Sequence, residues 1–261
     1  MIRGILLDLD GTVYRGDQEI PGASAFCREM SEAGVRCLFV TNRSNRTPGV
    51  VRDQLHEYGI DCEETDVLTT AQATARYVGS GSAYVIGEEG LYLAMEQQGI
   101  TITEDNPDVV VVGFDREFNC RKLETAATAV MAGKPFIATN PDRRLTLPDR
   151  VIPGTGAILA AITKMTDVEP VVIGKPEPLL FDLAIELIGM DKQEVIGVGD
   201  SLETDIRAGA RAGIRTALML SGNATRDDVP GAETQPTWVF DSFDELAQLV
   251  TDENVLAGAG A

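Results

Sequence analysis

The sequence predicts an α/β protein with a doubly wound parallel sheet and a second α/β lobe inserted into the chain. Short, wholly apolar runs recur along the chain, and such runs are typical of strands buried on both faces of a parallel sheet. Polar residues follow four of these runs directly. The interval between Asn42 and Lys175 is much longer than one βα crossover needs, and it carries strand and helix patterns of its own.

The first apolar run, at residues 5–7, leads directly into Asp8 and Asp10, which Gly11 and Thr12 follow. Ligands of open α/β sheets bind beyond the carboxyl ends of the strands. Side chains at i and i+2 of an extended segment point to the same side. Two carboxylates ~4 Å apart repel by roughly 4 kcal/mol at an effective dielectric constant of about 20, and Mg²⁺ would offset this repulsion. A simple turn is the alternative interpretation, because Asp and Gly also favour turns.

Three further apolar runs are each followed by polar side chains that suit phosphoryl transfer. The runs span residues 36–40, 171–174 and 195–199, and they precede Thr41 with Asn42, Lys175, and Asp200 with Asp205, respectively. We expect these loops to converge at one edge of the sheet. An aspartate can attack phosphorus as a nucleophile, a lysine and a metal ion neutralise the transferred group, and hydroxyl and amide groups hold its oxygens.

Together these segments resemble the motifs of haloacid dehalogenase (HAD) superfamily phosphatases. The four motifs stand in the order of that family, at residues 8–12, residues 41–42, Lys175 and residues 199–205. Further stretches resemble the NagD-like, or p-nitrophenylphosphatase-like, subclass IIA, at residues 10–16, 112–115, 138–142, 154–157 and 174–178. The resemblance covers residues 3–222 and implies a Rossmann-like HAD core. Arg43 stands where the subclass often has Asn, a departure that concerns substrate contacts rather than the chemistry.

The resemblance implies a catalytic role for five positions. Asp8 would be the nucleophile. Asp10 would protonate the leaving group and would then activate water against the aspartyl-phosphate. Thr41 and Asn42 would bind the transferring phosphoryl group, and Lys175 would steady both Asp8 and the phosphate.

The resemblance also implies a Mg²⁺ site at the same edge of the sheet. The Asp8 carboxylate, the main-chain oxygen of Asp10 and the Asp200 side chain would bind the ion directly. Ser201 and Asp205 would support the site from behind these ligands, with Asp205 placed to hold either the metal's waters or the catalytic lysine.

The long interval between the second and third motifs predicts a separate lobe over residues 82–170, with the core formed by residues 1–81 and 171–261. Strand patterns occur at residues 83–86, 108–112 and 135–138, and helix patterns occur at residues 91–98 and 123–132. The Gly/Ser-rich residues 79–82 suit a hinge. The resemblance identifies the lobe as a cap domain, and a lid that excludes water suits this chemistry.

Residues 140–144 of the lobe are the candidates for substrate choice. In the resembling family this loop reaches toward the leaving group, which implies substrate contacts from Asn140, Asp142, Arg143 and Arg144. Arginine binds carboxylate or phosphate in a bidentate fork, so we expect Arg144 to hold an anionic group of a small phosphorylated metabolite. A surface arginine pair is the alternative. The cap is also the surface expected for a homodimer.

The formal net charge is −19, from 41 acidic and 22 basic residues. The negative electrostatic field of such a protein repels the phosphate backbone and disfavours nucleic acid as a partner. It predicts a cytoplasm of high salt, where screening removes the self-repulsion, with an ordinary acidic enzyme as the alternative. No stretch approaches the ~20 apolar residues of a membrane span, and the chain enters its first predicted strand too early for a signal peptide, so we expect a cytoplasmic protein without a membrane partner.

Other catalytic classes are disfavoured by particular residues. His56 is the single histidine, which excludes a multi-histidine zinc site and a histidine-phosphatase mechanism, and a surface or satisfied helix histidine is expected. Cys37 and Arg43 match the Cys-x5-Arg spacing of cysteine-dependent phosphatases, but the residues between them read as a strand. Residues 154–156 start like a dinucleotide fingerprint, but Leu159 occupies the third glycine position, so a loop-to-helix turn is favoured.

The sequence therefore predicts a Mg²⁺-dependent phosphomonoester hydrolase. Two alternatives stay open. A receiver-like regulatory module also carries phospho-aspartate on a doubly wound sheet, but it needs no second carboxylate such as Asp10 and no inserted lobe. A phosphotransferase would pass the phosphoryl group to a sugar rather than to water.

Overall fold

The computed structural model describes residues 1–146 and 150–258. Its strands are β1 (Gly4–Leu7), β2 (Tyr14–Arg15), β3 (Gln18–Glu19), β4 (Arg36–Thr41), β5 (Val67–Thr69), β6 (Ser82–Ile86), β7 (Thr101–Ile102), β8 (Val109–Val112), β9 (Phe136–Ala138), β10 (Arg144–Thr146), β11 (Val151–Pro153), β12 (Val171–Val172), β13 (Val195–Gly199), β14 (Arg215–Met219) and β15 (Trp238–Phe240). Its α-helices are α1 (Ala23–Glu32), α2 (Pro48–Glu57), α3 (Thr70–Val78), α4 (Glu89–Gln97), α5 (Cys120–Met131), α6 (Thr155–Thr166), α7 (Leu179–Ile188), α8 (Arg207–Ala212) and α9 (Phe243–Gly258).

The described chain divides into two compact units, and the first contains residues 1–41, 51–68 and 175–258. Its sheet has the strand order β15-β14-β13-β1-β4-β5, and β1 pairs in parallel with both β4 and β13. The chain runs from β1 to one side of the sheet and later returns to the other side at β13. The carboxyl ends of β1 and β13 therefore form a topological switch point, where ligands of such sheets bind.

The core of the first unit explains why the short apolar runs form strands. Every residue of β1 is buried, so side chains on both of its faces pack against helices. Phe26 of α1 and Phe243 of α9 meet on one face with their ring centroids 5.1 Å apart. Full burial of one such side chain stabilises the fold by about 1.5–3 kcal/mol.

The second unit contains residues 42–50 and 69–174, apart from the gap in the described residues. Its own parallel sheet has the order β12-β9-β8-β6-β7, and β10 pairs with β11 in an antiparallel hairpin. A separate apolar core, which includes Val110, Val130 and Ile162, joins the sheet to α5 and α6. The strands and helices predicted for the inserted lobe are therefore confirmed as β6, β8, β9, α4 and α5.

The pairing of Val171 and Val172 differs from the prediction. The sequence predicts a core strand here, but β12 pairs with Ile137 and Ala138 of β9 in the second sheet. An apolar run does not indicate which strand lies beside it, and in β12 Val171 is exposed rather than buried. Segments 42–50 and 69–81, expected in the core, also group with the second unit by their contacts.

Three smaller predictions are confirmed. His56 is an exposed residue of α2, and its Nε2 lies 2.9 Å from the carbonyl oxygen of Cys62. Cys37 lies within β4, which rules out a phosphate-wrapping loop between it and Arg43. Gly154 caps the start of α6 rather than opening a dinucleotide fingerprint. Within residues 1–146 and 150–258, no helix is both long and apolar enough to cross a membrane.

Candidate active site

The central strands of the first unit bring three predicted residues to one edge of the sheet. Asp8 follows β1, Thr41 ends β4 and Asp200 follows β13. The strands end at the same level because Leu7 of β1 pairs with both Phe39 and Val198. All three side chains are buried. Sequence spacing alone could predict this convergence because parallel strands share the direction of their carboxyl ends.

Lys175 joins two of the acidic residues. Its Nζ donates hydrogen bonds to Asp8 Oδ1 at 2.5 Å and to Asp205 Oδ1 at 2.6 Å, and to the main-chain oxygen of Val40 at 3.3 Å. The Lys175 side chain is only 3% exposed. Burial of a charged ammonium is tolerated here because the ammonium is paired with two carboxylates. The same hydrogen bonds fix the position of the Asp8 carboxylate.

Asp205 is held from its other oxygen by its own loop. Its Oδ2 accepts hydrogen bonds from the Ser201 main-chain N–H at 3.2 Å and from the Thr204 hydroxyl at 3.3 Å. The loop makes a single π-helical turn over Leu202–Ile206, a local feature found frequently at functional sites. A Cβ at Gly199 would lie 2.2 Å from Asp205 Cγ, so glycine is required there. Both Asp205 oxygens are thus engaged within the protein.

Asp200 is enclosed by a different loop. Asn223 donates its main-chain N–H at 2.6 Å and its side-chain amide at 2.7 Å, both to Asp200 Oδ2. A Cβ on Gly222 would lie 1.8 Å from that oxygen. Gly11, with a φ of 91°, also approaches it, and a Cβ there would lie 2.3 Å away. Close backbone approach on two sides therefore fixes the orientation of this carboxylate.

Asp10 lies in the turn that follows β1 and is half-buried. The turn is held by the main-chain oxygen of Leu9, which accepts hydrogen bonds from the N–H groups of residues 12–14. Gly11 N–H donates to Tyr14 O at 2.8 Å and closes the turn from the other side. These main-chain hydrogen bonds fix the conformation of the turn, and with it the position of Asp10 relative to Asp8.

The carboxylates of Asp8, Asp200 and Asp205 each offer an oxygen within 4.8 Å of the others. Burial, and after it the charge of Asp205, raises the pKa of Asp8 well above its usual range and the pKa of Asp200 to about 7. Burial alone would lower the pKa of Lys175, but the carboxylates of Asp205 and Asp8 raise it. Three carboxylates and one ammonium leave two negative charges in excess when all are ionised.

This donor set fits Mg²⁺. The cluster offers hard carboxylate oxygens, and a divalent cation would balance its two excess negative charges. Asp205 accepts hydrogen bonds at both of its carboxylate oxygens, from Lys175, Ser201 and Thr204. Asp8 likewise accepts one hydrogen bond at each oxygen, from Lys175 and Thr12. The bonds from Asn223 to Asp200 reach only Oδ2, which favours Asp200 as a metal ligand.

Three other predicted residues lie together within the second unit. Asn42 donates its side-chain amide to the two Asp142 carboxylate oxygens, at 3.3 and 3.5 Å. The Asn140 amide donates to the main-chain oxygen of Asn42 at 2.9 Å, and Asn140 is buried. The Asp142 main-chain N–H donates to Asn140 Oδ1 at 3.1 Å. Residues far apart in sequence thus hold one another in place.

Arg143 and Arg144 are exposed and lie at the start of the β10–β11 hairpin. The main-chain oxygen of Arg143 accepts a hydrogen bond from Gly154 N–H, and Arg144 pairs with Pro153. A Cβ at Gly154 would lie 2.3 Å from the Asp142 main-chain oxygen. The glycines of the 154–157 stretch therefore allow the hairpin and the Asp142 turn to pack closely.

Two contributors to the site were not predicted. Thr12 donates its hydroxyl to Asp8 Oδ2 at 3.3 Å, and Asn223 holds Asp200 as described. Thr12 stands inside the first motif, so its proximity to Asp8 is a signal already present in the sequence. Asn223 follows β14, and the rule that strand ends carry function would have identified its loop.

Comparison with known proteins agrees with this architecture. A family model described as haloacid dehalogenase-like hydrolase matches residues 5–101, and a HAD-hydrolase-like model matches residues 172–246. The chain is 40% identical over 247 residues to a protein named 5'-nucleotidase YutF of Bacillus subtilis, covering 93% of this chain and 96% of that one. It is 39% identical over 253 residues to a protein named acid sugar phosphatase of Staphylococcus aureus, covering 95% and 98% of the two chains.

Solved structures give the same result. NagD from Escherichia coli K-12 superimposes with a TM-score of 0.89 at 33% identity, over 93% of this chain and 97% of that one. A p-nitrophenyl phosphatase from Archaeoglobus fulgidus superimposes with a TM-score of 0.90 at 32% identity, over 95% and 99% of the two chains. The chain therefore belongs to the haloacid dehalogenase-like hydrolase family. Within it, the chain is a HAD-type phosphatase of the NagD-like group.

Proposed function

We propose that this phosphatase hydrolyses small phosphomonoesters with Mg²⁺ and through an aspartyl-phosphate on Asp8. The observation that carries the proposal is the buried cluster in which Lys175 bridges Asp8 and Asp205 beside Asp200. A carboxylate so buried needs a neighbouring positive charge, and the cluster provides one cation and the ligands for a second.

The first half-reaction transfers the phosphoryl group to the protein. A carboxylate oxygen of Asp8 attacks phosphorus while the bond between phosphorus and the ester oxygen breaks. Asp10, in its acid form, donates a proton to that leaving oxygen. Lys175 and Thr12 keep the nucleophile oriented, since each donates a hydrogen bond to a different Asp8 oxygen. Thr41 and Asn42 bind the oxygens of the transferring group.

The second half-reaction returns Asp8 to its starting state. Asp10, now a carboxylate, takes a proton from a water molecule, whose oxygen attacks phosphorus. The bond between phosphorus and the Asp8 oxygen breaks, and inorganic phosphate leaves. Asp8, Asp200 and the main-chain oxygen of Asp10 would hold Mg²⁺, which when bound neutralises the charge of the phosphoryl oxygens.

The substrate belongs among small phosphorylated metabolites, and the second unit supplies the residues that select it. The names of the relatives refer to 5'-nucleotides and to sugar phosphates, which are both phosphomonoesters. The residues proposed to select the substrate are Asn140, Asp142 and Arg144. In this proposal the second unit serves as the cap domain of the enzyme. The net charge of −19 supports a cytoplasm of high salt as the place of action.

Asp8→Asn and Asp10→Asn test the mechanism. Each variant should lower kcat by at least ~10³-fold, because a nucleophile and an acid/base group are both hard to replace. Asp17→Asn, at an exposed position, is the matched control and should keep full activity. Acid quenching during turnover of a ³²P-labelled substrate should leave label on the wild-type protein and none on Asp8→Asn. Label on that variant, or normal turnover by it, would contradict the mechanism.

The same assay separates hydrolysis from the two alternatives. A hydrolase releases one phosphate for each alcohol that leaves, whether or not a sugar is added. A phosphotransferase would release less phosphate in the presence of an acceptor sugar and would form a new sugar phosphate. A receiver-like module would retain stoichiometric label and show no turnover.

A further inference from the structure

Asn223 makes two hydrogen bonds to one carboxylate oxygen. Its main-chain N–H and its side-chain amide lie 2.6 and 2.7 Å from Asp200 Oδ2, and Asp200 is only 1% exposed. Hydrogen bonds to an ionised acceptor are about twice as strong as neutral ones. One residue thus supplies two short hydrogen bonds to this carboxylate.

The surroundings of Asp200 Oδ2 leave little room for a substitute donor. Gly222 and Gly11 approach so closely that a Cβ on either would collide with the carboxylate. The Ser221 hydroxyl donates to the Gly11 main-chain oxygen at 2.8 Å and joins the two loops. Asn223 therefore stands in a segment whose backbone is fixed against the metal-binding edge of the sheet.

On its other side Asn223 lines an open cavity of about 620 Å³, together with Ser201, Arg207 and Glu233. Loss of the Asn223 side chain would therefore open onto water rather than leave an apolar void. A truncated variant should keep its fold, since the largest destabilisations come from buried cavities.

We propose that Asn223 is a positioning residue for the metal site, which holds Asp200 Oδ2 so that Oδ1 is presented to Mg²⁺. The inference rests on the proposed function, because it requires Asp200 to be a Mg²⁺ ligand. A carboxylate held in place before the ion arrives loses less rotational freedom on binding. Groups that hydrogen-bond to metal ligands commonly set metal affinity in this way.

Calorimetric titration with MgCl₂ tests the proposal without reference to turnover. Asn223→Ala removes the side-chain donor and keeps the main-chain N–H, and it should weaken Mg²⁺ binding about 10-fold. Asn223→Leu, which keeps the branching at Cγ but has no donor, should weaken it similarly. Thr225→Ala is the matched control. It removes the bond from the Thr225 hydroxyl to Asp228 in the same loop without touching Asp200, so Mg²⁺ affinity should not change.

Steady-state kinetics supply a second readout. In both Asn223 variants the Mg²⁺ concentration for half-maximal rate should rise about 10-fold, whereas kcat at saturating Mg²⁺ should stay within about threefold of wild type. Wild-type Mg²⁺ affinity in both variants would overturn the inference, as would an equal loss in Thr225→Ala. Absence of Mg²⁺ binding by the wild type, or full binding by Asp200→Asn, would instead overturn the proposed function. Circular dichroism in EDTA establishes that each variant is folded.

Discussion

At the scale of single residues, the site depends on carboxylates that burial makes costly to ionise. Asp8, Asp200 and Asp205 form one cluster, and the Lys175 ammonium pairs with two of these carboxylates. Burial, and after it the charge of Asp205, raises the pKa of Asp200 to about 7, so we expect the metal-free protein to retain a proton there at acidic pH. The same burial would strengthen the attraction between the ionised carboxylates and the Mg²⁺ ion of the proposed mechanism, which would have to displace any bound proton.

The raised pKa of Asp200 predicts how pH changes the stability of the metal-free protein. Between the unfolded value near 4 and the folded value of about 7, the folded state binds more protons than the unfolded state. The free energy of unfolding should therefore fall as pH rises through this window, by up to ~1.4 kcal/mol per pH unit from this group. Urea denaturation in EDTA at pH values from about 5 to about 8 measures the slope.

Two comparisons assign that slope to Asp200. Asp200→Asn should make the free energy of unfolding less dependent on pH, whereas Asp17→Asn, at an exposed position, should leave it unchanged. Added Mg²⁺ should restore stability most at the alkaline end, where the carboxylates are ionised. An unchanged slope in Asp200→Asn would show that other groups carry the effect.

Arg144 carries the prediction for substrate choice. On a phosphomonoester with a second anionic group, Arg144→Ala should lower kcat/KM by an amount that corresponds to about 1–3 kcal/mol of transition-state stabilisation. A charged hydrogen bond contributes that much. p-Nitrophenyl phosphate lacks the second anion and should be nearly unaffected. Arg121→Ala, which removes an exposed arginine of α5, is the control. Equal losses on both substrates, or none on either, would show that residue 144 does not recognise charge.

The single-residue predictions had a clear physical limit. Asp8, Thr41 and Asp200 could be selected because each stands at the end of an apolar run that leads to the same edge of the core sheet, whereas Lys175 could be selected only because it matches a family motif. Asn223 could not, because Asn is common in loops and its two bonds to Asp200 depend on tertiary structure. Hydrogen bonds between residues far apart in sequence leave no pattern in the chain itself.

At the scale of elements, the pattern predicted which segments are strands more reliably than which strands are neighbours. The runs that became β1, β4 and β13 belong to the core sheet as expected, but β12 joined the second sheet. Val171 is exposed and Val172 is half-buried in β12, so burial does not decide which sheet this strand joins. The pairing with β9 is extended by hydrogen bonds from the N–H groups of Ile173 and Gly174 to the main-chain oxygens of residues 138 and 139. The spacing of apolar residues in the sequence could not predict these hydrogen bonds.

The segment after β4 also shows that the sequence pattern did not predict which unit a segment packs with. Thr41 belongs to the first unit, whereas the following residues group with the second. The Thr70 hydroxyl donates to the Asn42 main-chain oxygen at 2.7 Å, and the Asn45 amide donates to Glu88 at 3.0 Å. A Cβ on Gly90 would lie 2.6 Å from the Arg46 backbone. Adjacent positions of one sequence motif are thus held by two different cores.

At the scale of the whole molecule, the excess of acidic residues dominates. The net charge is −19, and the ion pairs at the surface are mostly exposed, such as Arg121 with Glu104 and Arg226 with Asp241. Each exposed pair contributes only ~0–1 kcal/mol. Local pairing therefore does little to offset the repulsion among the remaining carboxylates, and dissolved ions must screen it.

If the surface is adapted to high salt, the melting temperature should keep rising as KCl increases from ~0.1 M to molar concentrations. Simple screening is nearly complete at about 1 M, where the Debye length is ~3 Å, so a gain beyond that point indicates adaptation rather than screening alone. Replacing the exposed Glu29, Glu32 and Glu57 by Gln should raise the melting temperature at low salt and reduce its dependence on KCl. A melting temperature that is flat or falls over the same range would identify an ordinary acidic enzyme, whose surface charge serves solubility alone.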